Sequence, residues 1–207
     1  MTFRDRAEAG QKLGELLQEK YGGKEVVIYA LPRGGVVLGA EIAKTLRAPL
    51  DLVIPRKIGH PFSPEYAIAA VTEHGDCVKN EDEVKRVDAK WFARAVEEEV
   101  QEAKRRRRVY CGNRAMISPT RKTAIIVDDG IATGLTMRAA IADIKKQNPA
   151  KIIIAVPVAP KETAEEMRKD VDDFVAVDIP ESYLGAVGAY YEEFPQVEDE
   201  EVIKMLR

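Results

Sequence analysis

Cysteine is scarce in this 207-residue chain: Cys77 and Cys111 are the only two, and they form no CxxC pair. With His60 and His74 the only histidines, no set of Cys and His has the spacing of a structural zinc site. A disulfide scaffold is therefore excluded, and a single Cys77–Cys111 bridge is disfavoured. No apolar run approaches the ~18 residues of a membrane span. The opening MTFRDRAEAGQKLGELLQEKYGG has no apolar leader segment either, so a cytoplasmic protein is expected. Charge of one sign is not in excess: 32 Lys and Arg face 35 Asp and Glu, leaving -3 at pH 7. That balance supplies no global basic field of the kind that drives nucleic-acid binding. Also missing are G-x-x-x-x-G-K-[ST], a G-x-G-x-x-G after the first strand, and G-x-S-x-G. Their absence counts against a P-loop NTPase, a dinucleotide-binding domain and a serine hydrolase.

What remains is 45% hydrophobic and 32% charged, ordinary for a globular protein, at a length suited to one domain over residues 1–207. Residues 2–20 have helical spacing, with Phe3, Ala7, Leu13, Leu16 and Leu17 near one face. Apolar runs at 25–31, 50–55, 66–75, 123–127, 151–158 and 173–178 read as strands. Helical stretches are expected at 36–46, 135–147 and 163–170. Asn80 and Glu83 suggest a capping box for one long helix to about Tyr110, with Trp91 in its apolar stripe. Thr163 and Glu166 suggest another box. RKIGHPFSPE (56–65), broken by Gly and Pro, reads as a loop. Strands with little alternation, separated by helices, predict an α/β, doubly wound, mostly parallel sheet flanked by helices. Ligands of such sheets gather at the carboxyl ends of strands, and PRGG, RKIG and DDGIATG all follow strands.

The most informative stretch is IIVDDGIATGLT, from Ile125 to Thr136. Small residues let the backbone amides of Gly130, Ile131, Ala132, Thr133 and Gly134 converge. Thr133 and Thr136 add hydroxyls, and a helix starts at once, which makes an anion site without lysine. Asp128 and Asp129 would repel that anion if they met it. Carboxylates pair instead with vicinal hydroxyls, or with magnesium held by a ligand. A sugar phosphate such as ribose 5-phosphate satisfies both halves of the loop. A tight turn whose aspartates only cap the next helix would leave the glycines and threonines as coincidence.

VDDGIATGLT resembles the phosphoribosyl pyrophosphate (PRPP) binding motif of type I phosphoribosyltransferases. The resemblance extends to PRGG, similar to that family's pyrophosphate loop, and to RKIGHPFSPEYAIAAV, similar to its mobile catalytic loop. Val187-Gly188, Tyr191 and Phe194-Pro195-Gln196-Val197 match a subgroup of bacterial and archaeal members. The resemblance implies the family's fold, with a small hood from about 179–207 plus N-terminal residues. It implies transfer of the 5-phosphoribosyl group from PRPP to a nitrogenous base with release of pyrophosphate. Arg33, Gly34 and Gly35 would then hold pyrophosphate, while Arg56 and Lys57 would neutralise the leaving group. Asp128 and Asp129 would hold the ribose, and Gly130, Ile131, Ala132, Thr133, Gly134 and Thr136 the 5′-phosphate. Mg²⁺ would be held mainly by PRPP, with Asp128 and Asp129 as further candidate ligands. In this family a non-proline peptide bond in the pyrophosphate loop is often strained.

The acceptor is less defined. IPESYLGAVGAYYEEF (179–194) is distantly similar to the hood of 6-oxopurine phosphoribosyltransferases, and Lys161 stands where those enzymes place a lysine that reads the purine oxygen. Purines are therefore favoured, with Lys161, Tyr183 and Val187 as candidate base-binding residues and core closure as their alternative role. Family resemblance also implies a homodimer. A regulator that senses PRPP without catalysis is the rival reading, and Arg105, Arg106, Arg107 and Arg108 are its only support. That run sits at a helix end behind Glu97, Glu98, Glu99 and Glu102, which favours a solvated, salt-linked role over nucleic acid.

Overall fold

The computed structural model covers residues 1–207. Its core is a five-stranded sheet in the order β2-β1-β6-β7-β8, made of Leu50–Leu52, Val26–Ala30, Thr123–Val127, Lys151–Val158 and Asp173–Asp178. All four neighbouring pairs are parallel. Alternate residues of each strand enter different cores, which explains why the strands show little polar alternation. Val27, Tyr29, Ala124 and Ile126 pack with helix α5 (Leu135–Lys145), while Val26, Ile28, Ile125 and Val127 pack with α1 (Arg6–Tyr21) and α2 (Gly34–Leu46). Gly10 lets α1 press onto α2, since a Cβ there would lie 2.8 Å from the Leu38 Cα. The doubly wound, parallel α/β sheet is the architecture the sequence pattern predicts.

Two expectations about the first helix change. Asp5 caps it, accepting from the Glu8 amide at 2.8 Å, so it begins at Arg6. Phe3 lies before the helix and forms an isolated bridge with Tyr191, its amide donating to the Tyr190 carbonyl at 2.8 Å. The two terminal segments thereby pair beside the carboxyl ends of the strands.

The larger correction concerns residues 56–65. They are not a loop: β3 (Arg56–His60) pairs antiparallel with β4 (Ser63–Val71), and β5 (Cys77–Lys79) completes a second, three-stranded sheet. Gly59 is the reason a strand survives there. Its missing side chain admits the Pro64 backbone at an irregularity in the register. Local sequence shows Gly and Pro but not the distant partner that rescues the pairing.

The long helix is also divided. Asn80 caps only a short turn, α3 (Glu81–Val84), and the Glu83 side chain pairs with Arg86 rather than closing a box. Asp88 then opens α4 (Ala89–Cys111). Within it Phe92, Val100, Ala103 and Tyr110 are buried, whereas Trp91 is half-buried at the edge of the cluster. Similarly, α6 spans Lys161–Met167 after Pro160, and Thr163 donates to the Ala132 carbonyl at 3.1 Å instead of capping. A short 3₁₀ turn (Val187–Tyr190) and α7 (Asp199–Met205) close the chain. Both cysteines are free. No helix is long and apolar enough to cross a membrane.

Candidate active site

In an open parallel sheet the chain leaves β1 toward one side and β6 toward the other, and the crevice between their carboxyl ends is a natural ligand site. Here the two strands run in register, Ala30 beside Val127, and the Leu31 amide still donates to the Val127 carbonyl at 2.9 Å. Beyond that point PRGG and DDGIATG diverge. A cavity of about 360 Å³ opens between them, lined by Pro32, Arg56, Lys57, Thr136, Val187 and the whole segment from Asp128 to Gly134.

The loop after β6 keeps its donors free. Gly130 and Gly134 take φ values of 155° and 79°, which a side chain would resist, and Gly134 sits directly before α5. The Ile131 amide is used, donating to the Val158 carbonyl at 3.0 Å, and its side chain is buried. The amides of Ala132, Thr133, Gly134, Leu135 and Thr136 donate to no protein carbonyl, and neither threonine hydroxyl in this stretch has a protein partner. Five amides at the positive end of an 11-residue helix form an anion cradle.

The two acids have different surroundings. Asp128 Oδ1 accepts from the Asp129 amide at 2.9 Å. Burial, and then the neighbouring Asp129 charge, push its carboxyl well above the usual range, while Lys57 acts against the shift. Asp129 is likewise raised by burial, opposed chiefly by Arg6, whose Nε donates to Asp129 Oδ2 at 2.8 Å. Arg6 also donates to the Pro195 carbonyl at 2.7 Å and lies 3.6 Å over the Phe194 ring. Tyr191 donates its hydroxyl to the Asp129 carbonyl at 2.7 Å, and burial raises its own pKa. Sequence inspection missed Arg6, because nothing local marks one arginine in an N-terminal helix as the partner of an acid 123 positions away.

Arg56 lines the cavity and donates to Glu99 of α4 at 2.7 Å, and Lys57 beside it is exposed. Arg33 turns away toward Asp199 and Glu198 at 3.5 and 3.8 Å, and the peptide bond joining it to Pro32 is cis. Gly34 and Gly35 lie behind the acids, so that a Cβ on either would strike Asp129 or the Val127–Asp128 backbone. Val187 reaches the cavity. Tyr183 instead stacks on Tyr190 with centroids 5.4 Å apart, and its hydroxyl is buried without a partner. Lys161 pairs with Glu181 at 2.9 Å on the surface.

A family model for the phosphoribosyl transferase domain matches residues 6–193. The chain belongs to the phosphoribosyltransferase family. A curated protein of Mycobacterium tuberculosis (strain CDC 1551 / Oshkosh), described provisionally as a phosphoribosyl transferase, is 38% identical over 206 residues. That match covers 99% of this chain and 46% of the relative, so the chain spans about half the length of the curated relatives it matches. Among solved structures, TT1426 from Thermus thermophilus superposes with a TM-score of 0.80 at 37% identity, covering 100% of this chain and 98% of that one.

The arginine run is not one feature. Arg105 and Arg106 pair with Glu102 on the helix surface, whereas Arg107 turns inward to Asp51 at 2.9 Å and the Leu52 carbonyl at 2.8 Å. Arg107 is thus not a solvated residue, in contrast to the expectation for the whole run.

Proposed function

We propose that the chain transfers the 5-phosphoribosyl group of PRPP to a nitrogenous base and releases pyrophosphate. The observation that carries this is one cavity holding both a carboxylate pair and a row of free amides at a helix start. On this reading the Ala132–Thr136 amides and the Thr133 and Thr136 hydroxyls take the 5′-phosphate, while Asp128 and Asp129 accept from the ribose hydroxyls. Arg56 and Lys57 line the same cavity, where positive charge would offset the charge that develops on departing pyrophosphate. Held on a strand rather than on a free loop, they are positioned before substrate arrives. Gly34, Gly35 and Arg33 complete the pyrophosphate side, with Arg33 leaving Asp199 to do so.

The hard oxygens of Asp128 and Asp129 suit Mg²⁺ arriving with PRPP, and their raised pKa values mark a place where a cation relieves repulsion. When bound, the ion would neutralise pyrophosphate oxygens as the glycosidic bond breaks. For the acceptor we infer a purine, lying on Val187 with Tyr183 and the Lys161–Glu181 pair at the outer edge of its space.

Pyrophosphate release from Mg²⁺-PRPP, measured against a panel of purine and pyrimidine bases, tests the proposal. Base-dependent release is expected, and Asp128→Asn combined with Asp129→Asn should abolish PRPP binding by calorimetry. PRPP binding that survives in that double variant would overturn the assignment. Tight PRPP binding without release for any base would favour a non-catalytic sensor.

A further inference from the structure

A second cavity, of about 400 Å³, opens where the β4–β5 turn meets α4. Glu73, His74, Lys104, Arg107 and Arg108 line it. Two of the carboxylates here are hardly reached by water: Glu73, in the lining, is 5% exposed, and Asp143, behind it, is 2% exposed. Asp143 projects from α5, and both of its oxygens face His74 Nδ1, at 3.0 and 2.9 Å. No other hydrogen-bond donor of the protein reaches them. Glu73 Oε2 accepts from the Ile54 amide at 3.0 Å, but Glu73 Oε1 is buried with no partner at all. One ligand atom from each of Glu73, His74 and Asp143 lies within 4.8 Å of the others.

Two neighbouring buried carboxylates repel, and an orphaned buried acceptor keeps the full cost of its desolvation. A divalent cation between them removes both penalties. We propose that Glu73, His74 and Asp143 form a binding site for a divalent transition-metal ion. Two carboxylate oxygens and one imidazole nitrogen suit an ion of the Mn²⁺, Fe²⁺ or Zn²⁺ kind over Mg²⁺ or Ca²⁺, which select oxygen alone. Bonds of about 2.0–2.2 Å hold ligand atoms roughly 3–3.5 Å apart. The closing movement falls to His74, whose side chain is 50% exposed and is held in the protein by Asp143. Of the cations lining the cavity, Arg107 gives one nitrogen to Asp51 and the Leu52 carbonyl and keeps the other buried without a partner, while Lys104 and Arg108 stand at the exposed rim. They make the open coordination positions a place for an anionic or water ligand.

The ion would join parts of the molecule that contribute to the active site. Glu73 holds the Ile54 amide, directly before Pro55, Arg56 and Lys57, and Asp143 belongs to the helix that begins at the DDGIATG loop. Asp76 of the same turn already pairs with Lys146 after that helix, so the turn is docked where the clamp would close.

The experiment uses the full chain, stripped with a chelator, with Zn²⁺ and then Mn²⁺ as probes in the absence of PRPP. Zn²⁺ at a hundredfold excess over its dissociation constant should raise Tm by about 5–10 °C for a chain of this size. One ion per chain should be retained, and an anomalous-scattering peak should lie between Glu73, His74 and Asp143. His74→Ala should weaken binding by about 100-fold or more while keeping the circular dichroism of the wild type, and His60→Ala should bind as the wild type does. Asp143→Asn provides a second ligand variant if His74→Ala does not fold. The proposal is overturned if millimolar Zn²⁺ leaves Tm unmoved. It is equally overturned if His74→Ala responds like the wild type, or if the anomalous peak lies at Asp128 and Asp129.

Discussion

Replacing Arg6 by Met keeps length and bulk and removes only the guanidinium. In the wild type that group donates to Asp129 at 2.8 Å and to the Pro195 carbonyl at 2.7 Å, with side chains 10% and 17% exposed across the ion pair. Solvent therefore screens the pair little, and losing one partner leaves Asp129 as an uncompensated buried charge. Such one-sided losses are destabilising by about 3–5 kcal/mol, which for a chain of this length lowers Tm by roughly 6–20 °C. The deficit should depend on pH. Burial already raises Asp129 above the ordinary 3.8, and Arg6 is the main opposing influence, so removing Arg6 raises it further. A native carboxyl with a raised pKa holds its proton longer than the unfolded one. Its contribution is fully present below the unfolded value and is lost as pH rises through the folded value. Arg6→Met should accordingly be weakest near neutral pH and recover as pH falls toward the carboxylate range. Urea denaturation at several pH values measures this. Arg6→Met with Asp129→Asn removes both charges and should regain about 2–3 kcal/mol over the sum of the single changes. A single variant within about 1 kcal/mol of wild type, or an additive double variant, would refute the reasoning.

Four further changes test other contacts. Arg105→Ala should leave the urea midpoint nearly unchanged, within about 0.5 kcal/mol, because its pair is exposed. Arg107→Met, two residues on, should be destabilising by about 3 kcal/mol, because it leaves the fully buried Asp51 with two backbone amides and only the more distant Arg114 at 3.7 Å; equal effects would contradict this. Asp128→Asn should raise Tm at pH 7.5 while PRPP binding falls in calorimetry, since the wild-type carboxylate is held against burial and against Asp129. That advantage should vanish on acidification below 3.8, where both states of the wild-type carboxyl are protonated. Gly59→Ala puts a Cβ into the Pro64 backbone and should lose about 1–3 kcal/mol by thermal melting, with a fall in pyrophosphate release as Arg56 and Lys57 shift; unchanged release would separate the hairpin from the site.

Composition and apolar runs determined the layered α/β core, because strands buried on both faces must read as continuous hydrophobic stretches whatever their partners. DDGIATG was legible for a related reason: its carboxylates, glycines and hydroxyls are adjacent in sequence, and a strand-to-helix turn gathers neighbours by itself. Long-range pairing escaped that kind of reading. The strand at Arg56–His60 exists only because β4 returns beside it, and Gly59 looks locally like a breaker. Arg6 meets Asp129, and Arg107 meets Asp51, across 123 and 56 positions, distances over which no periodicity or spacing carries information. The Glu73, His74 and Asp143 cluster likewise joins a turn to a helix that are far apart in the chain. Tertiary structure decided which of many similar charges are buried, and burial is what gives an ordinary Arg or Asp determined partners.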